Sequence, residues 1–124
     1  MEAKNYFSLE EQRCHCGCSN RGLDPAFLKK LNHIRATLGK PLLLTSAYRC
    51  PDRNAAESVT GEDGPHTTGR AVDIHADSRL RSLVQREAMK LGMTRFGIAQ
   101  SFIHIDDLNE SDGFDSNVTW VYGK

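Results

Sequence analysis

The chain has 124 residues, enough for one domain that buries roughly two thirds of its unfolded surface and folds alone. Its 16 basic and 16 acidic side chains cancel, which excludes the basic footprint of a nucleic-acid or anionic-membrane binder. No apolar run approaches the roughly 20 residues of a membrane span, and Met1 to Leu9 has no apolar signal-peptide centre. A monomer made in the cytoplasm, not exported by the usual route, is expected. Ser8-Leu9-Glu10-Glu11 fits a capping box and predicts a short helix. It runs into Cys14-His15-Cys16-Gly17-Cys18, three thiols at alternate positions, which Cys50 can join from downstream. Buried thiols in a reducing compartment, a disulfide, or a structural zinc at Cys14, Cys16, Cys18 and Cys50 are the alternatives. The spacing is not Cys-x-x-Cys, so thiols are favoured over the zinc.

Asp24-Pro25 is an N-cap followed by a first-turn proline, and Phe27, Leu31, Ile34 and Leu38 recur at helical spacing up to Gly39. This predicts an amphipathic helix whose apolar face is core, with His33 solvated. Pro41 to Thr45 reads as a buried strand. Arg49 follows, where the chain leaves the core; its planar fork suits a substrate carboxylate, though taken alone a surface arginine paired to an acid is the favoured reading. Pro51 opens a further helix through Asn54, Ala55 and Ala56. The polar stretch 57–65 is expected to be a loop delivering His66.

Ala71 to His75 reads as a strand in which Asp73 and His75 share one face while Val72 and Ile74 point to the core. Ser78 is expected to cap the next helix, with Leu80, Leu83, Val84, Ala88 and Leu91 buried and Gly92 as its stop. Arg95 to Ile98, Phe102 to Asp106 and Val118 to Tyr122 complete the strands. On the second of these Phe102, His104 and Asp106 share a face. The aromatics of the last strand can wall a pocket or fill core, and core or edge packing is favoured for Trp120.

Three polar residues break their local patterns. His66 sits in a Gly/Pro-rich loop with no packing reason to carry an imidazole. Asp73 and His104 each interrupt an apolar strand, and a buried carboxylate is costly unless paired or metal-bound. Two imidazoles and one carboxylate, with an open fourth position, are the ligand set of a catalytic zinc site.

His66-Thr67-Thr68-Gly69-Arg70-Ala71-Val72-Asp73 closely resembles the His-x-x-Gly-x-Ala-x-Asp signature of the zinc D-Ala-D-Ala carboxypeptidases. That superfamily of peptidoglycan peptidases includes phage endolysins and the hedgehog signalling domain. Ser46-Ala47-Tyr48-Arg49 is similar to its Ser-Gly-Tyr-Arg, and Phe102 to Asp106 to its final ligand strand. The likeness covers nearly the whole chain, so residues 1–124 are expected to form one zinc peptidase domain.

The resemblance implies a small α+β fold, a mixed or antiparallel sheet with helices packed on it. It implies zinc held by His66, Asp73 and His104, and Arg49 binding a carboxylate of a peptidoglycan stem peptide. It also implies a carboxypeptidase or endopeptidase of phage or prophage lysis that acts on the cell wall. The chain departs from the family at Gly64, where a serine is usual, and at Ser101 and Phe102, where relatives carry Glu or His. The general base is therefore assigned from the strand pattern: Asp106 first, as a neighbour of His104 on one face, with His75 and Asp63 in reserve. Asp106 has a second possible role, as the hydrogen-bond partner of an imidazole. A zinc-binding module without catalysis, and a structural cell-wall protein, are the competing function classes.

Overall fold

A computed structural model of the chain describes residues 4–17, 21–57 and 64–123. The elements run α1 (Leu9–Gln12), α2 (Pro25–Leu38), β1 (Leu44–Ser46), α3 (Pro51–Glu57), a 3-10 turn (Pro65–Thr68), β2 (Ala71–His75) and α4 (Ser78–Lys90). β3 (Arg95–Ile98), β4 (Phe102–Asp106), a second 3-10 turn (Glu110–Asp112) and β5 (Val118–Val121) follow. The strands form one sheet in the order β1-β2-β4-β3-β5. Every pair is antiparallel except β3 with β5, so the sheet is mixed and the fold is α+β.

Local chemistry sets the helix ends. Ser8 and Glu11 close a reciprocal capping box on α1. Asp24 accepts from the Phe27 amide, Pro25 fills the first turn of α2, and Gly39 ends it in the left-handed region. The cap of α4 is Asp77, one residue earlier than expected: its carboxylate accepts from the Leu80 amide, leaving Ser78 inside the first turn. β1 starts later than expected, at Leu44. Leu42 and Leu44 are buried, while Leu43 between them points to solvent.

The sheet has two unlike faces. Val72 and Ile74 of β2, Ile103 and Ile105 of β4 and Phe96 of β3 point to one side. There they meet Phe27, Leu31 and Ile34 of α2 and Val84 and Ala88 of α4. Phe27, Leu31 and Ile34 are fully buried, and each such side chain contributes about 2 kcal/mol of transfer free energy. Of the residues expected on the buried side of α4, Leu80, Leu83 and Leu91 are half-buried, at the margin of the core. The period-2 alternation sends Asp73, His104, Asp106, Arg95 and Gly97 to the opposite face, which no helix of the core covers.

Candidate metal centre

A row of paired residues crosses that open face. Asp73 lies opposite His104, His104 opposite Gly97, and Gly97 beside Trp120 of β5. Gly97 carries no side chain to block the row. A Cβ there would stand 2.5 Å from the indole Nε1 of Trp120. The indole therefore lies across β3, with its ring centroid 5.2 Å from that of His104. Trp120, on the edge strand β5, is also a wall of the cavity.

His66 arrives from outside the sheet. Within β1, between Leu44 and Ser46, the register with β2 slips, and the chain then turns into the corner Ala47-Tyr48-Arg49. The 3-10 turn docks on this corner through two hydrogen bonds. The Arg49 amide donates to the His66 carbonyl at 3.1 Å, and His66 Nδ1 lies 2.8 Å from the Ala47 carbonyl oxygen. A carbonyl only accepts, so Nδ1 carries the proton and the Nε2 lone pair faces inward. It sits 3.3 Å from Asp73 Oδ1.

His104 is held the same way by a different partner. Its Nε2 donates to Asp106 Oδ2 at 2.7 Å, and its Nδ1 lies 3.0 Å from Asp73 Oδ1. The two imidazole rings meet edge to face at 5.1 Å. One donor atom from each of His66, Asp73 and His104 falls within 4.8 Å of the others, so the group can hold a metal ion.

The donor chemistry fits such an ion. Asp73 is held well below the usual carboxylate range: burial alone would raise it, but the hydrogen bonds and charges of His104 and His66 outweigh that. His104 is pushed up to about 9, because the contacts with Asp106 and Asp73 outweigh burial. An imidazole wedged between two carboxylates demands positive charge. A cation facing Nδ1 meets that demand in place of the proton.

Asp106 is fully buried and does not line the cavity. Its Oδ2 accepts from His104, and its Oδ1 accepts from Arg95 Nε at 2.9 Å and from the Leu108 amide at 3.1 Å. Both oxygens are committed to protein partners and neither lines the cavity. This corrects the placement expected of a general base and matches the other role expected of Asp106, the hydrogen-bond partner of an imidazole. His75 is corrected too. It is exposed at the far end of β2, beside Lys40 and Asp77, and lines a separate depression. Asp63 lies outside the described residues.

The cavity above the triad has a volume of about 730 Å³. Arg49 and Asn54 line one side of it, and Phe102, Trp120 and Tyr122 line another. Arg49 Nη1 donates to Asn54 Oδ1 and Nη2 to Ser46 Oγ, both at 2.9 Å, while Nη2 stands 4.0 Å from Asp73 Oδ2. Arg95 passes beneath Trp120, its guanidinium carbon 5.2 Å from the ring centroid. The sequence reading missed Arg95 and Asn54. An arginine opening an otherwise apolar strand was the available signal for the first. The second had none, being a polar residue in a short exposed-looking helix.

Of the described thiols, Cys14 is buried, Cys16 exposed and Cys50 half-buried. Cys18 lies outside the described residues. No helix among the described residues is long and apolar enough to cross a membrane.

Comparison with known proteins agrees with this geometry. The chain is 30% identical over 94 residues to the peptidoglycan L,D-endopeptidase MepK of Escherichia coli K12, and equally to the proteins of that name from Escherichia coli O157:H7 and Shigella flexneri. The matches cover 69% of this chain and 52% of each relative, so the chain spans about half the length of the curated relatives it matches. Residues 5–106 match the family described as peptidase M15, a span that holds all three residues of the triad. The chain belongs to the peptidase M15 family.

Proposed function

We propose that the chain is a zinc-dependent peptidase that hydrolyses an amide bond of the peptidoglycan stem peptide. The observation that carries this is the convergence of His66, Asp73 and His104 at the base of a cavity that Arg49 also lines. The same residues are the ones that matched the family signature in order. Two imidazoles and a carboxylate are a zinc donor set, and calcium or magnesium would call for more oxygens.

His66, Asp73 and His104 hold the ion. Zinc there supplies a Lewis acid at the scissile carbonyl and acidifies water. The chain's own residues orient the ligands and the substrate. The Ala47 carbonyl fixes the tautomer of His66, and Asp106 fixes that of His104, so both lone pairs face the same point. Arg49, braced by Asn54 and Ser46, lines the cavity as the positive charge that would meet a substrate carboxylate. Trp120, Tyr122 and Phe102 give the peptide an apolar wall and exclude water from one side of the bond. The name of the relatives favours an L,D-endopeptidase over a D,D-carboxypeptidase. The reading places the protein at the cell wall, in a phage or prophage setting.

The test is mass spectrometry of peptidoglycan fragments incubated with the zinc-loaded protein, beside His66→Ala. A product made only by the wild type, and abolished by chelation, is expected. Its mass identifies the bond: loss of one terminal residue for a carboxypeptidase, scission of a cross-link for an endopeptidase. Zinc binding without any product, across several wall chemistries, would turn the reading to a non-catalytic zinc module.

A further inference from the structure

We propose that Cys14, Cys16 and Cys50 form a second metal site, holding a structural zinc ion that fastens the N-terminal segment to the corner carrying Arg49. Their sulfurs form a near-equilateral triangle: 3.2 Å from Cys14 to Cys16, 3.6 Å from Cys14 to Cys50 and 3.5 Å from Cys16 to Cys50. A disulfide needs one pair at about 2.05 Å and leaves a third sulfur over. A tetrahedral zinc with Zn–S bonds of about 2.3 Å needs sulfurs about 3.8 Å apart on every edge. The three thiols reach that arrangement by spreading a few tenths of an ångström. All three donors are sulfur, which selects a thiophilic cation over magnesium or calcium.

The backbone is arranged for this convergence. Gly17 lies in the left-handed region at φ 71°, and its amide donates to the Cys14 carbonyl at 3.1 Å. That turn brings Cys14 and Cys16 to one side. The backbone amides of Cys16 and Cys50 donate to the Cys14 sulfur, the pattern of hydrogen bonds that supports a metal-bound thiolate. Cys50 comes from 36 residues away, and the Tyr48 amide, donating to the Gln12 carbonyl at 2.9 Å, holds its segment against α1. Drawing these segments together closes a long loop, a cost that cation binding offsets. Cys16 is exposed and Cys14 buried, so an ion enters from the Cys16 side, where water or a further ligand completes its shell. The site shares no residue with the His66, Asp73 and His104 group. Cys50 directly follows Arg49, so an ion here would also brace the cavity wall that Arg49 forms.

The test is metal analysis of the full chain, purified with its thiols reduced and equilibrated with zinc, followed by replacement with cobalt(II). Two zinc ions per chain are expected. So is a near-ultraviolet thiolate-to-cobalt charge-transfer band, which an imidazole and carboxylate site does not produce. Cys16→Ser, altering an exposed side chain, should weaken the cobalt binding that gives this band at least about 10-fold. It should leave the second equivalent of metal in place. The readouts separate the two sites: if the His66 group binds nothing, the total falls to one ion per chain while the thiolate band persists. No thiolate band, or a disulfide among these cysteines in zinc-equilibrated protein under non-reducing mass spectrometry, would overturn the proposal.

Discussion

His104 Nε2 donates to Asp106 Oδ2 across 2.7 Å, and Arg95 Nε donates to the other oxygen of the same carboxylate. Asp106 thus joins an imidazole facing the cavity to a buried arginine beneath it. Asp106→Asn preserves volume but removes the charge that both partners use. Two losses should follow. Zinc affinity should drop about 10- to 100-fold, since His104 loses the partner that fixes its tautomer. The unfolding free energy should fall by about 3 kcal/mol, because Arg95 is left buried without its counter-charge. Zinc titration and urea unfolding read these separately. Turnover should recover when zinc is raised to saturation. A variant that binds zinc normally yet turns over nothing would restore Asp106 as the general base.

Gly97 and Trp120 give the second prediction. Gly97→Ala places a methyl group where the indole now lies, 2.5 Å from Nε1. The indole must swing away from His104, or β5 must shift. Such overpacking costs about 1–3 kcal/mol. The chain has a single tryptophan, so its fluorescence reports the displacement directly. Expected are a red-shifted emission, a lower melting temperature and weaker peptide binding. An unchanged spectrum would mean that Trp120 does not lie against Gly97.

The residues of the candidate metal site were legible because each broke a local rule. His66 is an imidazole in a Gly/Pro turn, and Asp73 and His104 are polar residues inside apolar strands. Periodicity alone placed α2, β2 and β4, since Phe27, Leu31 and Ile34, and then Val72, Ile74, Ile103 and Ile105, carry unambiguous spacing. The supporting contacts were less legible, because they are fixed by pairing across the sheet. Nothing local says that β5 lies parallel beside β3, and only that pairing brings Trp120 over His104. Asp106 was read as a base from sharing a strand face with His104. That face is shared, but the register opposite Arg95 buries the carboxylate under the site instead of opening it to the cavity. His75 failed for the converse reason. It keeps the right face of β2, but lies at the strand's far end, opposite Phe102 and outside the cavity.

Arg49 is held by Asn54 and Ser46 and lines the cavity. Arg49→Lys keeps the charge and loses the planar pair of donors. The expected loss in kcat/KM is about 2 kcal/mol, roughly 30-fold, the worth of a hydrogen bond to a charged group. It should fall mainly on KM, with zinc content unchanged, because Arg49 is not a ligand. Steady-state kinetics on a stem-peptide substrate, with metal analysis of the same sample, checks both. A wild-type KM would remove Arg49 from substrate binding.

The last prediction concerns pH. In the protein stripped of metal by chelation, the pKa of His104 is pushed up to about 9 from an ordinary 6.5. Burial alone would lower it, and the contacts with Asp106 and Asp73 reverse that. A group whose folded pKa is raised gives stability that is complete below its unfolded pKa and is lost as pH climbs through the folded one. The melting temperature of the chelated protein should therefore decline between pH 6.5 and 9. In the zinc-loaded protein the ion takes the place of that proton, so the decline should flatten. Circular dichroism melts across this range, with and without chelator, supply the comparison. Asp106→Asn should shrink the slope in the chelated state, since Asp106 is the strongest of the contacts that raise His104. A chelated protein that grows more stable toward pH 9 would show that His104 is folded neutral between its two carboxylates.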